Sequence, residues 1–159
     1  MTTTITGALG IDNIQAATGA VLQVVHGNYS SFTGTASDTM VDTGITANIT
    51  PSSTSSKILV TVHASGPYKN TAGTSGGIDM NIVRGSTPIH SFAIANLYTG
   101  TTMQSNGTPM SATMLDSPST TSATTYKVQF KRYNATGGPS VGINASGETS
   151  TITLMEIAG

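Results

Sequence analysis

From Val21 onward the chain alternates apolar and polar positions with a period of two, the spacing of a β-strand with one buried face. Ile45, Ala47 and Ile49 alternate with Thr46, Asn48 and Thr50. In 57–64, Ile58, Val60 and Val62 share one face, and Leu59, Thr61 and His63 the other. Ile78, Met80 and Ile82 alternate with Asp79, Asn81 and Val83. Tyr126, Val128 and Phe130 alternate with Lys127, Gln129 and Lys131, and Ile152 and Leu154 with Thr151, Thr153, Met155 and Ile157. Shorter runs at 21–26, 89–95, 110–115 and 141–145 complete the set.

Turn chemistry separates these runs. Ser-rich 51–56, Gly85-Ser-Thr-Pro88, the 116–124 cluster and the Gly-rich loops 66–77 and 99–109 all break them. No segment keeps a helical period for three turns. The pattern predicts an all-β domain, an antiparallel sandwich or jelly roll of about eight to ten strands over residues 21–159, with the last strand inside a sheet. Leu59 within 58–60, and Met155 and Ile157 opposite Ile152 and Leu154, put apolar side chains on both faces of their strands. A two-sided strand in so short a chain predicts a subunit contact. Tyr126, Phe130, Leu154 and Ile157 are the residues expected to make core or trimer contacts.

Residues 1–20 follow no such pattern. Ile5, Leu9, Ile11 and Ile14 are scattered among Thr, Gly and Ala, and Asp12 is suited to cap a short helix ending before Gly19. Such a helix is too short to be stable alone. Two readings fit: an arm that orders on a partner, with those four residues docking, or a frayed terminus. The domain division predicted is an arm at 1–20 and the sandwich at 21–159.

Composition narrows the function. Charged residues are 8% of the chain, against about 25% in an average soluble domain. Ser and Thr supply 48 of the 159 residues, and Leu, Ile, Val and Phe only 31. A thin core of this kind is completed by burial against other copies. Six Lys and Arg and a net charge of −1 argue against nucleic acid. No apolar run approaches the roughly 20 residues of a membrane helix, and the N-terminus has neither the basic nor the apolar region of a secretory signal. The absence of Cys removes disulfides and thiolate metal sites.

Candidate chemistry is sparse. Gly73-Thr-Ser-Gly-Gly77 resembles the nucleophile loop of serine proteases, but Thr74 and Ile78 replace its Asp and Pro, and His26 and His63 lie outside any matching context. A flexible Gly/Ser loop and no enzyme is the expectation. His26, His63 and His90 lack the spacing of a preformed metal pair; one His per chain meeting on a trimer axis is the remaining route to an ion. Asp38 and Asp42 are too few for calcium. No cofactor is predicted. Five Asn-x-Ser/Thr triplets, at Asn28, Asn48, Asn106, Asn134 and Asn144, are discounted without a secretory signal. Tyr126, Phe130 and Tyr133 are placed to line a sugar site or, more simply, to fill the core.

The stretches PSSTSSKILVTV (51–62), IVRGSTPI (82–89), LDSPSTTSATTYKVQF (115–130) and STITLMEI (150–157) resemble short virion proteins of phages of aquatic bacteria, described as fibre, knob or other structural components. Their domain is similar to the trimeric jelly roll of tumour necrosis factor and the complement globular heads. The resemblance covers about 21–159 and implies a homotrimer on the outside of the virion. It reaches no ligand, because the loops 66–77 and 99–109 match no pattern.

Two virion roles follow. A capsid decoration or cement trimer, or a short knob, would grip other virion proteins through 1–20. A receptor-binding tip or short tail-fibre protein would contact a host cell-surface glycan through its polar loops. Twenty residues reach at most about 70 Å when extended, so a fibre role needs a separate shaft. A carbohydrate-binding module, monomeric and with an exposed aromatic platform, is the reading from another class.

Overall fold

The computed structural model describes residues 16–70, 76–99, 104–105, 108–133 and 139–159. Ile5, Leu9, Ile11 and Ile14 of the expected arm, and Ser75 of the protease-like loop, lie outside them.

Eight strands of seven residues or more carry the fold. They are β1 (Val21–Tyr29), β3 (Val41–Ile49), β4 (Lys57–Ala64), β6 (Gly76–Arg84), β7 (Thr87–Thr99), β9 (Met110–Asp116), β10 (Thr124–Tyr133) and β12 (Ser150–Ile157). β1 pairs with β12, β3 with β10, β4 with β9 and β6 with β7, all antiparallel. These are nested pairs, first with last and inward to the hairpin at Gly85-Ser86, so the chain is one long hairpin wrapped on itself. β12 then joins β4, and β10 joins β6, closing two sheets in the orders β1-β12-β4-β9 and β3-β10-β6-β7. That is a jelly roll, one of the two antiparallel architectures that fit the alternation and the one the resemblance implied.

The inner faces meet in a core that the period-2 pattern explains residue by residue. Ile58, Val60, Val62, Ile152 and Leu154 come from the first sheet. Ile45, Ile49, Met80, Ile82, Tyr126, Val128 and Phe130 come from the second, all at 2% exposure or less. Each such side chain contributes about 1.5–3 kcal/mol by leaving water. Arg84 of β6 crosses to Asp116 of β9, one nitrogen donating to both carboxylate oxygens at 2.9 and 2.8 Å. The Tyr126 hydroxyl donates to the same carboxylate at 2.6 Å, tying the two sheets together.

Four short strands complete the fold: β2 (Thr33–Thr35), β5 (Tyr68–Lys69), β8 (Gln104–Ser105) and β11 (Val141–Ile143). They form a third sheet in the order β2-β11-β5-β8. Each lies in the connection that follows an odd-numbered member of the eight-strand hairpin. In an antiparallel jelly roll those four connections share one end of the sandwich. The small sheet therefore caps that end, and residues 19–20, paired with Ala158, lie at the other.

Three details differ from expectation. The loop 66–77 contains β5 and the start of β6. β7 begins at Thr87 and runs to Thr99, into the expected 99–109 loop. It is bulged against β6, with Ala95 and Leu97 at φ 53° and 57°, and the Asp79 carboxylate accepts the Ala95 N–H at 2.8 Å. β2, β5 and β8, of two or three residues, are too short to show an alternation, whereas β11 falls within the run at 141–145.

Candidate functional site

The outer faces of the two large sheets have opposite chemistry. On the first, register aligns Val24, Met155, Leu59 and Leu115 in one apolar row across all four strands. Val24 is 56% and Leu115 52% exposed, and Met155 and Leu59 are half-buried between them. Ile157 continues the apolar strip on β12. The next row is His26, Thr153, Thr61 and Thr113. His26 Nδ1 lies 2.9 Å from the Thr153 hydroxyl. Beyond it His63 Nδ1 lies 3.2 Å from the Ser111 hydroxyl. No carboxylate stands on this face; Lys57 is its one fixed charge among the described residues.

The outer face of the second sheet is laced with charge. Lys127 donates to Asp42 at 2.9 Å, and Gln129 donates to the other oxygen at 2.7 Å. Lys131 and Asp79 approach to 3.6 Å. Near the start of β3, Arg132 donates to Asp38 at 2.6 and 3.1 Å. The Arg132 hydrogen bond holds the Asp38 carboxyl below its ordinary range. The Lys127 hydrogen bond does the same for Asp42. With Arg84 on Asp116, four cations are held by carboxylates among the described residues.

A third region is the capped end. Gly34 and Gly142 face each other across β2 and β11, and Gly142 faces Tyr68 of β5. The Phe32 ring covers the glycine pair: a Cβ on Gly34 would lie 2.9 Å from it, and one on Gly142 2.8 Å. At Gly142 such a Cβ would also lie 2.8 Å from the Thr33 carbonyl, so that position requires glycine; at Gly34 the ring alone would have to shift. Phe32 remains 57% exposed, and its ring meets Tyr68 edge-on at 6.3 Å between centroids. Phe32, Tyr68 and Ala145 line an open groove of about 300 Å³. Buried Asn144, at φ 56°, donates to the Tyr29 and Ser31 carbonyls at 3.0 and 3.1 Å and so fixes the segment that presents Phe32. A second edge-on pair, Tyr98 and Tyr133 at 5.9 Å, ends β7 and β10 at the same end.

The structure separates the residues singled out from sequence. Tyr126, Phe130 and Leu154 are fully buried between the sheets, while Ile157 lies on the outer face of the first. Tyr126 and Phe130 are thereby closed to any sugar. Burial first, then the Asp116 carboxylate, raises the Tyr126 hydroxyl well above its usual range. His26, His63 and His90 stand on β1, β4 and β7, and no group of three metal-ligating side chains occurs among the described residues. Gly76 and Gly77 open β6 in the second sheet, away from the face that carries His26 and His63. Asn144 is 1% exposed, which closes that triplet to a glycan. Sequence reading passed over Phe32 because it is an isolated aromatic between strands; the signal was the glycine at each of two distant positions it covers.

At the opposite end Glu156 is buried under the β3–β4 turn. Burial pushes its carboxyl up, but hydrogen bonds from the Gln23 amide and from the Ser52 hydroxyl and N–H outweigh this and hold it at about 2.

No protein-family model and no curated protein matches the chain. Among solved structures it is similar to the infectious bursal disease virus VP2 subviral particle, with TM-score 0.48 and 15% identity over 97% of this chain and 38% of that one. The infectious bursal disease virus Gx strain structure gives TM-score 0.41 and 16% identity over 97% and 37%. The Gt strain structure gives 0.34 and 14% over 96% and 41%. The chain spans about two fifths of the length of these chains. A likeness of this size is one of fold and carries no activity or partner to this chain.

Proposed function

We propose that this chain is a non-enzymatic structural protein of a bacteriophage particle, a homotrimer that serves as a capsid decoration, cement or short knob protein on the exterior. Its first sheet is the assembly face, and residues 1–20 are the arm that docks on other virion proteins. The observation that carries the assembly claim is the Val24, Met155, Leu59, Leu115 row, an apolar strip on an outer sheet face whose counterpart on the other sheet is ion-paired. Exposed apolar strips on soluble domains mark contacts. The number three, the particle and the exterior position come from the resemblance of the strand and turn segments to phage virion proteins. The thin core and low charge, 8% of residues, fit a chain whose stability is shared among copies.

The test is light scattering after size exclusion on the full chain and on Leu59→Lys. A mass of three times the 16.1 kDa chain is expected for the first, and a folded monomer for the second. A monomeric wild type, or a trimer unchanged by the substitution, overturns the proposal.

A second reading, a receptor-binding tip or short tail-fibre protein, is favoured by the exposed aromatic pairs at the end of the sandwich remote from residues 19–20. Gold-labelled antibody on intact particles separates the two: label on heads supports decoration, label on the tail supports the tip.

A further inference from the structure

We propose that the Phe32–Tyr68 groove binds the apolar face of a pyranose ring in a neutral, hydroxyl-rich glycan. The ligand site does not depend on trimer formation; the outward orientation given to it below rests on the docking-arm reading.

The platform is built rather than incidental. Phe32 sits over the bare backbone of Gly34 and Gly142, where a Cβ would fall within 3.0 Å of its ring, and Asn144 fixes the preceding backbone with two hydrogen bonds. An aromatic ring held this firmly and still 57% exposed loses little entropy when a flat apolar surface lands on it. Tyr68 stands at 6.3 Å and nearly perpendicular, at 77°, so the two rings make a corner rather than a flat patch. A pyranose presents one face of axial C–H bonds to an aromatic ring and hydroxyls around its edge, and a corner with a phenol on one side suits that shape. The groove of about 300 Å³ is at the small end of ligand pockets and admits one or two sugar units.

The surrounding charge selects a neutral ligand. Ala145 lines the groove, and three residues on, the Glu148 carboxylate packs against Gly66 and accepts the Ser146 N–H at 2.8 Å. None of the described residues that line the groove is charged, so nothing in its lining pairs with the carboxylate of a sialic or uronic acid or with a phosphate. Stacked nucleotides, the other ligand of exposed rings, need cations along a backbone track. Here Arg84, Lys127, Lys131 and Arg132 are each held by an aspartate. If the arm at 1–20 holds the particle, this end of the sandwich faces outward.

Saturation-transfer NMR on the full chain tests the site. The probes are neutral oligosaccharides of hexose and N-acetylhexosamine, with sialyllactose and an oligothymidylate as anionic controls. Transfer to the ring protons of at least one neutral sugar is expected, with affinity falling at least about tenfold in Phe32→Ala and in Phe32→Leu. Phe32→Leu keeps an apolar cover on the glycines, so an unchanged melting temperature in that variant separates lost stacking from lost folding. Tyr133→Ala, which alters only the second aromatic pair, is expected to bind as wild type. No transfer to any neutral sugar overturns the proposal, as does binding that survives Phe32→Leu, vanishes in Tyr133→Ala, or favours the oligothymidylate. A monomer that binds sugar through Phe32 would keep this site and remove the trimer reading.

Discussion

The two large sheets are built by the same alternation, yet their outer faces differ: ion pairs lace the second, where Ile94 of β7 stays 69% exposed, and an apolar row crosses the first. On the second sheet every long polar side chain of β10 finds a partner: Lys127 and Gln129 on Asp42, Lys131 on Asp79. On the first, the corresponding positions of β12 are Thr151, Thr153, Met155 and Ile157, which bring either short hydroxyls or unpaired apolar surface. A face whose polar groups satisfy one another within the chain asks nothing of a neighbour. A face with an apolar row and no carboxylate has surface left to bury, and the absence of fixed negative charge removes the repulsion that would keep an identical copy away.

The sharpest way to break this comparison is to charge, one at a time, the two faces of the first sheet. Leu154 points into the core and Leu59, its diagonal neighbour on β4, points out. Leu154→Lys buries an ammonium with no partner and should cost several kcal/mol, enough to abolish the cooperative melting transition seen by circular dichroism. Leu59→Lys should leave that transition in place and change only the mass measured by light scattering. If both variants unfold, the outer row is part of the monomer core and the contrast between sheets is false.

Next in size is the clamp that joins the sheets. Tyr126→Phe leaves Asp116 with Arg84 but removes its 2.6 Å hydroxyl donor in a buried setting. A loss of about 2 kcal/mol is expected, read as a shift in the urea midpoint without a change in slope. A shift below about 0.5 kcal/mol would mean that water replaces the hydroxyl there.

Much of this was legible beforehand, and the reasons are physical. Strands β3, β4, β6, β10 and β12 announced themselves because a half-buried strand must alternate, and residues such as Ile58, Val60 and Val62 leave no other period. The class, an antiparallel sandwich or jelly roll, followed from strand count and spacing, while the strand order came from the pairing itself. What alternation alone did not give was the direction of each two-sided strand: Leu154 and Ile157 look alike in sequence, and only the register with β4 and β1 puts one inside and the other out. The Phe32 platform was invisible for another reason. It rests on Gly34 and Gly142, in strands of three residues set by their neighbours rather than by their own propensity, and on Asn144 just after the second, 112 residues from Phe32.

A smaller effect distinguishes the two ends of the sandwich. Glu156 is held at about 2, well below its ordinary 4.5, so the folded state binds its proton less readily than the unfolded chain does. The stability this adds is complete above about 4.5 and is lost as pH falls from there toward about 2. Glu156→Gln should therefore lower the melting temperature at pH 7 and flatten its fall between pH 5 and pH 2.5. An equally steep fall in the variant would shift the acid sensitivity to the aspartates.

The smallest effect tests whether the second sheet's charge stabilises the chain or only keeps that face solvated. Lys127 and Asp42 are both partly open to water, at 24% and 56% side-chain exposure, and an exposed pair of this kind is worth about 0.2–1 kcal/mol. A double-mutant cycle with Lys127→Ala and Asp42→Ala should give a coupling in that range at low salt, shrinking toward zero near 1 M as the Debye length falls to about 3 Å. Melting of the double variant should stay close to wild type, while its solubility falls, because removing the pair uncovers surface without opening the core. A coupling that persists at high salt would mean the pair is structural, and the two sheets would then differ in how they are held together and not only in which of them is left open.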